Sequence, residues 1–164
     1  MINRAIYSYK IIDDYWKGQS DTFFELARLS VKLAKRQYKN VVFYTDRKTE
    51  KKFKEYGIVF DEVVYLNSLK DVNEHTYGLA KIYAMMEQYE PYVILDFDTL
   101  VFEPIETTHT ITYGYKEGEP ENIGGKEYIN NYYLKPYQNL RHKIDIPLDW
   151  LVFPNNSFVA VKNP

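Results

Sequence analysis

Four short apolar runs of strand length, each separated from the next by a segment of helical spacing, constrain this fold more than any other feature. Arg4 to Ile12 alternates loosely, is rich in β-formers and reads as the opening strand. Ser20 is a good N-cap, and Asp21 in the first turn suits the helix dipole. From there Phe23, Phe24, Ala27, Ser30, Val31 and Ala34 recur at helical spacing to about Tyr38. Val41-Val42-Phe43-Tyr44-Thr45 is the second strand and ends at Asp46. A charged helix from about Lys48 to Tyr56 stops at Gly57, a natural C-cap, and Val59 to Leu66 is the third strand. Tyr77 to Tyr89 is helical, with Leu79, Ile82, Tyr83 and Met86 on one side, and Pro91 ends it before the run Tyr92 to Leu95. This alternation predicts an α/β domain with a mainly parallel central sheet flanked by helices. Its length suits one domain over residues 1–164.

The fourth run carries the chemistry. Tyr92-Val93-Ile94-Leu95 delivers the chain to Asp96-Phe97-Asp98, and Leu100-Val101-Phe102 follows at once. In extended backbone, side chains two apart share a face, so Asp96 and Asp98 are expected to converge. Adjacent carboxylates repel unless a cation lies between them. An oxygen-loving ion, Mg²⁺ or Mn²⁺, with phosphate oxygens completing its shell, is the natural partner. An Asp-x-Asp triplet also arises by chance on solvated turns, but the apolar runs on both sides leave little room for a loose loop. In parallel sheets ligands gather at the carboxyl ends of strands, where Asp46 also falls. Asp46 reads either as a contact to a base or ribose or as a helix-start acid.

Composition excludes several classes. A net charge of −2 gives no global electrostatic case for nucleic-acid binding. No stretch reaches the ~18 consecutive apolar residues of a membrane helix, so no integral membrane segment is expected. Residues Met1 to Tyr7 lack the apolar core of a signal peptide. The absence of cysteine removes disulfides and thiolate metal sites and fits a reducing compartment, so a cytoplasmic protein is expected, peripheral at a membrane if its acceptor is lipid-linked. Seventeen tyrosines offer flat faces that suit sugars or bases, or else reflect a compositional bias.

Beyond residue 104 the signals weaken. His109 to Tyr115 alternates like a strand, Glu117 to Gly125 reads as a Gly/Pro/Glu-rich loop, and Pro136 argues against one uninterrupted helix over Tyr128 to Leu140. Phe158 to Lys162 is a final strand. A chain that stops at Asn163-Pro164 directly after a strand, at a proline suited to open a helix, reads as truncated. Neither His75 nor His109 has the spacing of a ligand pair, and no residue stands out as a catalytic base.

Tyr92 to Ile105 resembles the metal-binding core of nucleotide-diphospho-sugar glycosyltransferases of the GT-A fold, especially the largely retaining galactosyl- and mannosyl-transferase families with a DxD motif. Four features carry the likeness in order: the opening strand near Ser8 and Tyr9; Lys81 in Gly78-Leu79-Ala80-Lys81-Ile82-Tyr83; Asp96-Phe97-Asp98 with the trailing Pro104-Ile105; and Pro154-Asn155-Asn156-Ser157-Phe158. The resemblance implies a Rossmann-like GT-A domain, with a short antiparallel strand after the DxD. It also implies Mn²⁺ or Mg²⁺ on Asp96 and Asp98, and a nucleotide-diphospho-sugar donor, UDP-sugar favoured, near Ser8, Tyr9, Lys81, Asp96, Asn155 and Asn156. Lys81 would add positive charge at the diphosphate or lie solvated on its helix, and Asn155 and Asn156 would meet sugar hydroxyls or form a simple turn. The acceptor would be a glycan or another hydroxyl compound. Two departures stand out: the third metal ligand that many relatives bring from a C-terminal segment has no counterpart, and Asn156-Ser157 replaces the usual small residues.

Two other readings compete. Haloacid-dehalogenase-type phosphatases place Asp-x-Asp after an apolar strand, usually followed by Gly-Thr, but Asp98 is followed directly by Thr99, and some 95 residues precede the motif that normally opens such chains. A donor-binding or vestigial GT-A-like domain without catalysis is the non-enzyme alternative.

Overall fold

The structure, a computed structural model, describes residues 2–12, 20–72, 78–105, 111–116 and 154–162. The chain divides into two compact units, one of Met1–Thr112 with Asn156–Pro164 and one of Tyr113–Asn155. In the first unit the order is β1 (Arg4–Ser8), α1 (Asp21–Gln37), β2 (Asn40–Thr45), α2 (Arg47–Glu55), β3 (Glu62–Tyr65), a 3-10 turn (Asn67–Asp71), α3 (Leu79–Met86) and β4 (Tyr92–Leu95). Strand β5 (Ile111–Lys116) and strand β6 (Pro154–Val161) follow.

The strand order is β3-β2-β1-β4-β6. The first three pairings are parallel: Ala5 faces Val41 and Val93, and Phe43 faces Val63. β6 runs antiparallel to β4, with Leu95 opposite Phe158 and Tyr92 opposite Val161. The fold is therefore α/β, with a mixed but mostly parallel sheet flanked by helices.

Two apolar layers explain why the strands read as unbroken hydrophobic runs: helices cover both faces. Tyr7, Val41, Phe43, Val93 and Leu95 pack toward Phe24, Ala27, Val31 and Ala34 of α1 and Phe53 of α2. On the opposite face Ile6, Val42, Tyr44, Tyr92 and Ile94 pack toward Leu69 of the 3-10 turn and Ala80 and Ala84 of α3. Tyr7, Tyr38, Tyr44 and Tyr92 are buried, so part of the tyrosine content serves the core.

Long-range ties set element ends that local patterning does not reveal. β1 leaves the ladder at Ser8 because the following backbone is held by side chains: Thr45 Oγ1 donates to the Tyr9 carbonyl at 2.7 Å, and Thr49 Oγ1 accepts from the Ile11 N–H at 2.9 Å. β3 begins at Glu62 rather than Val59 because Asp61 turns its carboxylate onto the Val41 N–H at 2.9 Å. The helix expected from Lys48 begins at Arg47, and Gly57 follows it at φ 68, a conformation that favours glycine. Asn155 and Asn156, read as sugar contacts or as a simple turn, lie in extended backbone at the start of β6.

Asp46 is the N-cap of α2. Its Oδ1 accepts from the Thr49 N–H at 2.7 Å, the helix-start alternative of the two sequence readings. Asp46→Ala is expected to lower stability by about 1 kcal/mol in urea unfolding. A change near zero would mean that the cap is not what starts the helix.

Candidate functional site

The candidate site is built where two adjacent parallel strands end. Ser8 and Asp96 each lie two residues beyond the paired Ile6 and Ile94, at the carboxyl ends of β1 and β4. Across this edge lies the first turn of α3. Lys81 Nζ reaches Asp96 Oδ1 at 2.6 Å, with 21% of the lysine side chain and 38% of the aspartate side chain exposed. The Ser8 hydroxyl donates to the Ala80 carbonyl at 2.6 Å and so ties the strand end to the helix residue before Lys81. Its single proton is committed there, leaving the oxygen to act as an acceptor.

The Asp pair does not continue the strand. β4 ends at Leu95, and the Thr99 N–H donates to the Asp96 carbonyl at 3.0 Å, closing a turn over residues 96–99. The expectation of extended alternation through Asp98 is corrected accordingly. The reason lies in Phe97, which is buried among the aromatic rings of the α1 face and draws the backbone round. Asp98 stands exposed on the turn, yet its charge still acts on Asp96. Burial raises the Asp96 carboxyl above the usual aspartate range, Lys81 works against that rise, and Asp98 adds to it.

Helix α1 holds the segment that carries the pair. Ser30 Oγ donates to the Thr99 carbonyl at 2.6 Å and shares a 2.9 Å hydrogen bond with the Tyr7 hydroxyl. Gln37 Nε2 donates to the Phe102 carbonyl at 2.8 Å, and the Tyr38 hydroxyl accepts from the Ile105 N–H at 2.9 Å. None of these three was a sequence-based candidate. A polar Ser30 inside the buried Ala27–Ala34 stripe is the one signal that could have pointed to the first. Lys10, also past the end of β1, donates to the Leu69 and Val72 carbonyls at 2.6 and 2.7 Å, which fastens the 3-10 turn beside the strand end.

The remaining candidates are spread more widely. The Tyr9 ring lies on the other face of the sheet from Ser8, packed against Phe23, Phe53 and Phe97 at 5.5–5.8 Å, and burial raises its hydroxyl pKa. Asn155 and Asn156 lie in β6, whose side chains there fall outside the described residues, as do His75 and His109. So do the expected loop over residues 117–125 and the ambiguous stretch over residues 128–140. Shallow cavities of about 300 and 200 Å³ are lined by Arg28, Lys32 and Val59 and by Phe53, Lys54 and Val63 among others, and none of Ser8, Lys81, Asp96 or Asp98 lines either.

Among the described residues no group of three or more His, Cys, Asp or Glu side chains gathers to hold a metal. Asp96 and Asp98 would supply two carboxylates, a donor pair that is purely oxygen. That chemistry fits a hard divalent ion that keeps water and phosphate oxygens, as Mg²⁺ commonly does, rather than an all-protein cage. Among the same residues no helix is long and apolar enough to cross a membrane.

No curated protein matches the chain. One family model matches residues 13–112, a span that holds Lys81, Asp96 and Asp98 and covers more than half of the 164 residues. The chain belongs to that family, DUF6734, a family of unknown function.

Proposed function

We propose that the chain is a metal-dependent glycosyltransferase of GT-A type, taking a nucleotide-diphospho-sugar, a UDP-sugar in the first instance, and serving a glycan or other hydroxyl acceptor in the cytoplasm. The observation that carries the reading is the pairing of the Lys81 ammonium with Asp96 at the carboxyl ends of β1 and β4, with Asp98 on the turn that follows. A mostly parallel sheet favours that edge for ligands, and an antiparallel strand beside β4 accords with the GT-A expectation.

Asp96 and Asp98 are the residues that would hold Mn²⁺ or Mg²⁺. When bound, such an ion supplies charge stabilisation for the diphosphate as it leaves. Lys81 contributes a further positive charge at the same edge. Ser8 positions Lys81 by fixing Ala80, and α1 restrains the Asp-bearing turn through Ser30, Gln37 and Tyr38. Preorganisation of this kind spares the cost of ordering the site when the donor arrives. A phosphatase reading of the haloacid-dehalogenase type fits less well, since the Asp pair follows the fourth strand in chain order rather than the first.

Calorimetric titration of the full chain with UDP, GDP and CDP, with and without Mn²⁺, tests the proposal. Binding of one nucleotide only when Mn²⁺ is present is the expected result. Failure of all three to bind under either condition would remove the reading.

A further inference from the structure

The outer surface of α1 gathers cations and apolar side chains that the candidate site does not use. From Leu26 to Thr45 the chain holds Arg28, Lys32, Lys35, Arg36 and Lys39 and no acid, although the whole chain carries more acids than bases. All five are exposed. Arg28 pairs with Glu25, and Lys35 pairs with Asp61 at 2.8 Å. Among the described residues Lys32, Arg36 and Lys39 form no side-chain ion pair. Glu25, Asp61 and the exposed Glu103 are the acids at the margin, and the first two are already engaged.

Helical geometry separates the flanks of α1. At about 100° per residue, Arg28, Lys32 and Lys35 fall on one flank and Gln37 on the other, with Leu29 and Arg36 pointing outward between them. On the first flank the cations rim a cavity of about 300 Å³ whose wall includes Val59, itself 61% exposed. On the second, Gln37 Nε2 donates to the Phe102 carbonyl at 2.8 Å, so the backbone is restrained while the ring stays 71% exposed. Leu29 is 44% exposed. We infer that this surface docks on an anionic bilayer, with the cations among lipid phosphates and carboxylates and with Leu29, Val59 and Phe102 at the headgroup boundary. Each Lys or Arg there adds attraction to anionic headgroups, and the apolar side chains gain burial. A bare phosphate ladder would satisfy the cations but leave the aliphatic Leu29 and Val59 in water.

Flotation of the full chain with vesicles tests the docking. It uses neither metal nor nucleotide, so its outcome is independent of the donor site. Vesicles of phosphatidylcholine alone are compared with vesicles holding about one part in three of phosphatidylserine, at low and at physiological salt. Native protein is expected to bind the phosphatidylserine vesicles about tenfold more tightly, and salt should weaken that binding. Lys32→Gln/Arg36→Gln, which keeps good helix formers, should lose about tenfold. Leu29→Ser/Phe102→Ser should lose a similar factor with every charge intact. All four positions are exposed, and thermal melting followed by circular dichroism checks each fold. No binding to the phosphatidylserine vesicles, or equal binding to both kinds, would overturn the proposal. Full binding by a folded Lys32→Gln/Arg36→Gln protein would place the contact elsewhere on the chain and overturn it as well. Loss on charge removal alone, with Leu29→Ser/Phe102→Ser binding like native protein, would overturn the bilayer and leave a soluble polyanion as the partner of the cations.

Discussion

Asp98→Ala is expected to abolish metal-dependent nucleotide binding and to leave the fold untouched. Asp98 is exposed on the turn after β4, so removing its carboxylate creates no cavity, and an exposed substitution of this kind changes stability by roughly 0.5 kcal/mol or less. Its charge raises the Asp96 pKa, so its loss relieves a repulsion as well. Binding is another matter. In the proposed site Asp98 is one of the two carboxylates that would hold the ion. Even the ~3 kcal/mol of a strong charge-assisted contact corresponds to roughly a hundredfold in affinity. Asp96→Ala would be a poorer probe, because it also removes the Lys81 contact at 2.6 Å. Calorimetry with Mn²⁺ and nucleotide gives the affinity, and thermal melting followed by circular dichroism gives the fold. Unchanged binding in a normally folded Asp98→Ala protein would take away the basis of the proposal.

How much of this was legible in the sequence depends on the range of the interaction. The strands of the parallel sheet stand out because both faces are covered, which makes Val41 to Tyr44 and Tyr92 to Leu95 apolar at every position. Their ends do not, because the ends are set by partners far along the chain, such as Thr49 on Ile11 and Asp61 on Val41. The location of Asp96 at a strand end follows from local pattern. The geometry of Asp98 does not, since it needs the knowledge that Phe97 is a core residue. The separation of Tyr9 from Ser8 was implicit in strand alternation, which sends neighbours to opposite faces. The support that Ser30, Gln37 and Tyr38 give to residues 99–105 spans 65 to 69 positions, and no periodicity encodes it.

Phe97→Ala carries the largest expected cost in stability. The ring is 6% exposed and lies at the centre of an aromatic cluster. It stacks on Tyr7 at 4.8 Å with planes 24° apart and meets Phe53 at 4.8 Å. Phe43, Tyr9, Phe23 and Phe60 present edges to it or receive its own at 5.6–6.3 Å. Truncating a buried phenylalanine costs about 3–5 kcal/mol, and a cluster of rigid rings held from both strands and helices has little freedom to close the void. That is a large share of the 5–15 kcal/mol typical of a folded domain. In urea, the midpoint should fall sharply at an unchanged slope, and Phe97→Leu should recover most of the loss because leucine refills much of the volume. A loss below about 1 kcal/mol for the alanine variant would mean that the ring is not packed as described. The consequence reaches the site, because Phe97 is the residue between the two carboxylates. Its burial fixes the turn on which Asp98 stands, so if the proposed site holds Mn²⁺ and nucleotide, the alanine variant, studied at a temperature where it remains folded, should bind them more weakly although neither proposed ligand has been removed. The middle position of the Asp-x-Asp triplet is thus apolar for the sake of the core, and the turn that carries the two carboxylates is held by that same anchor.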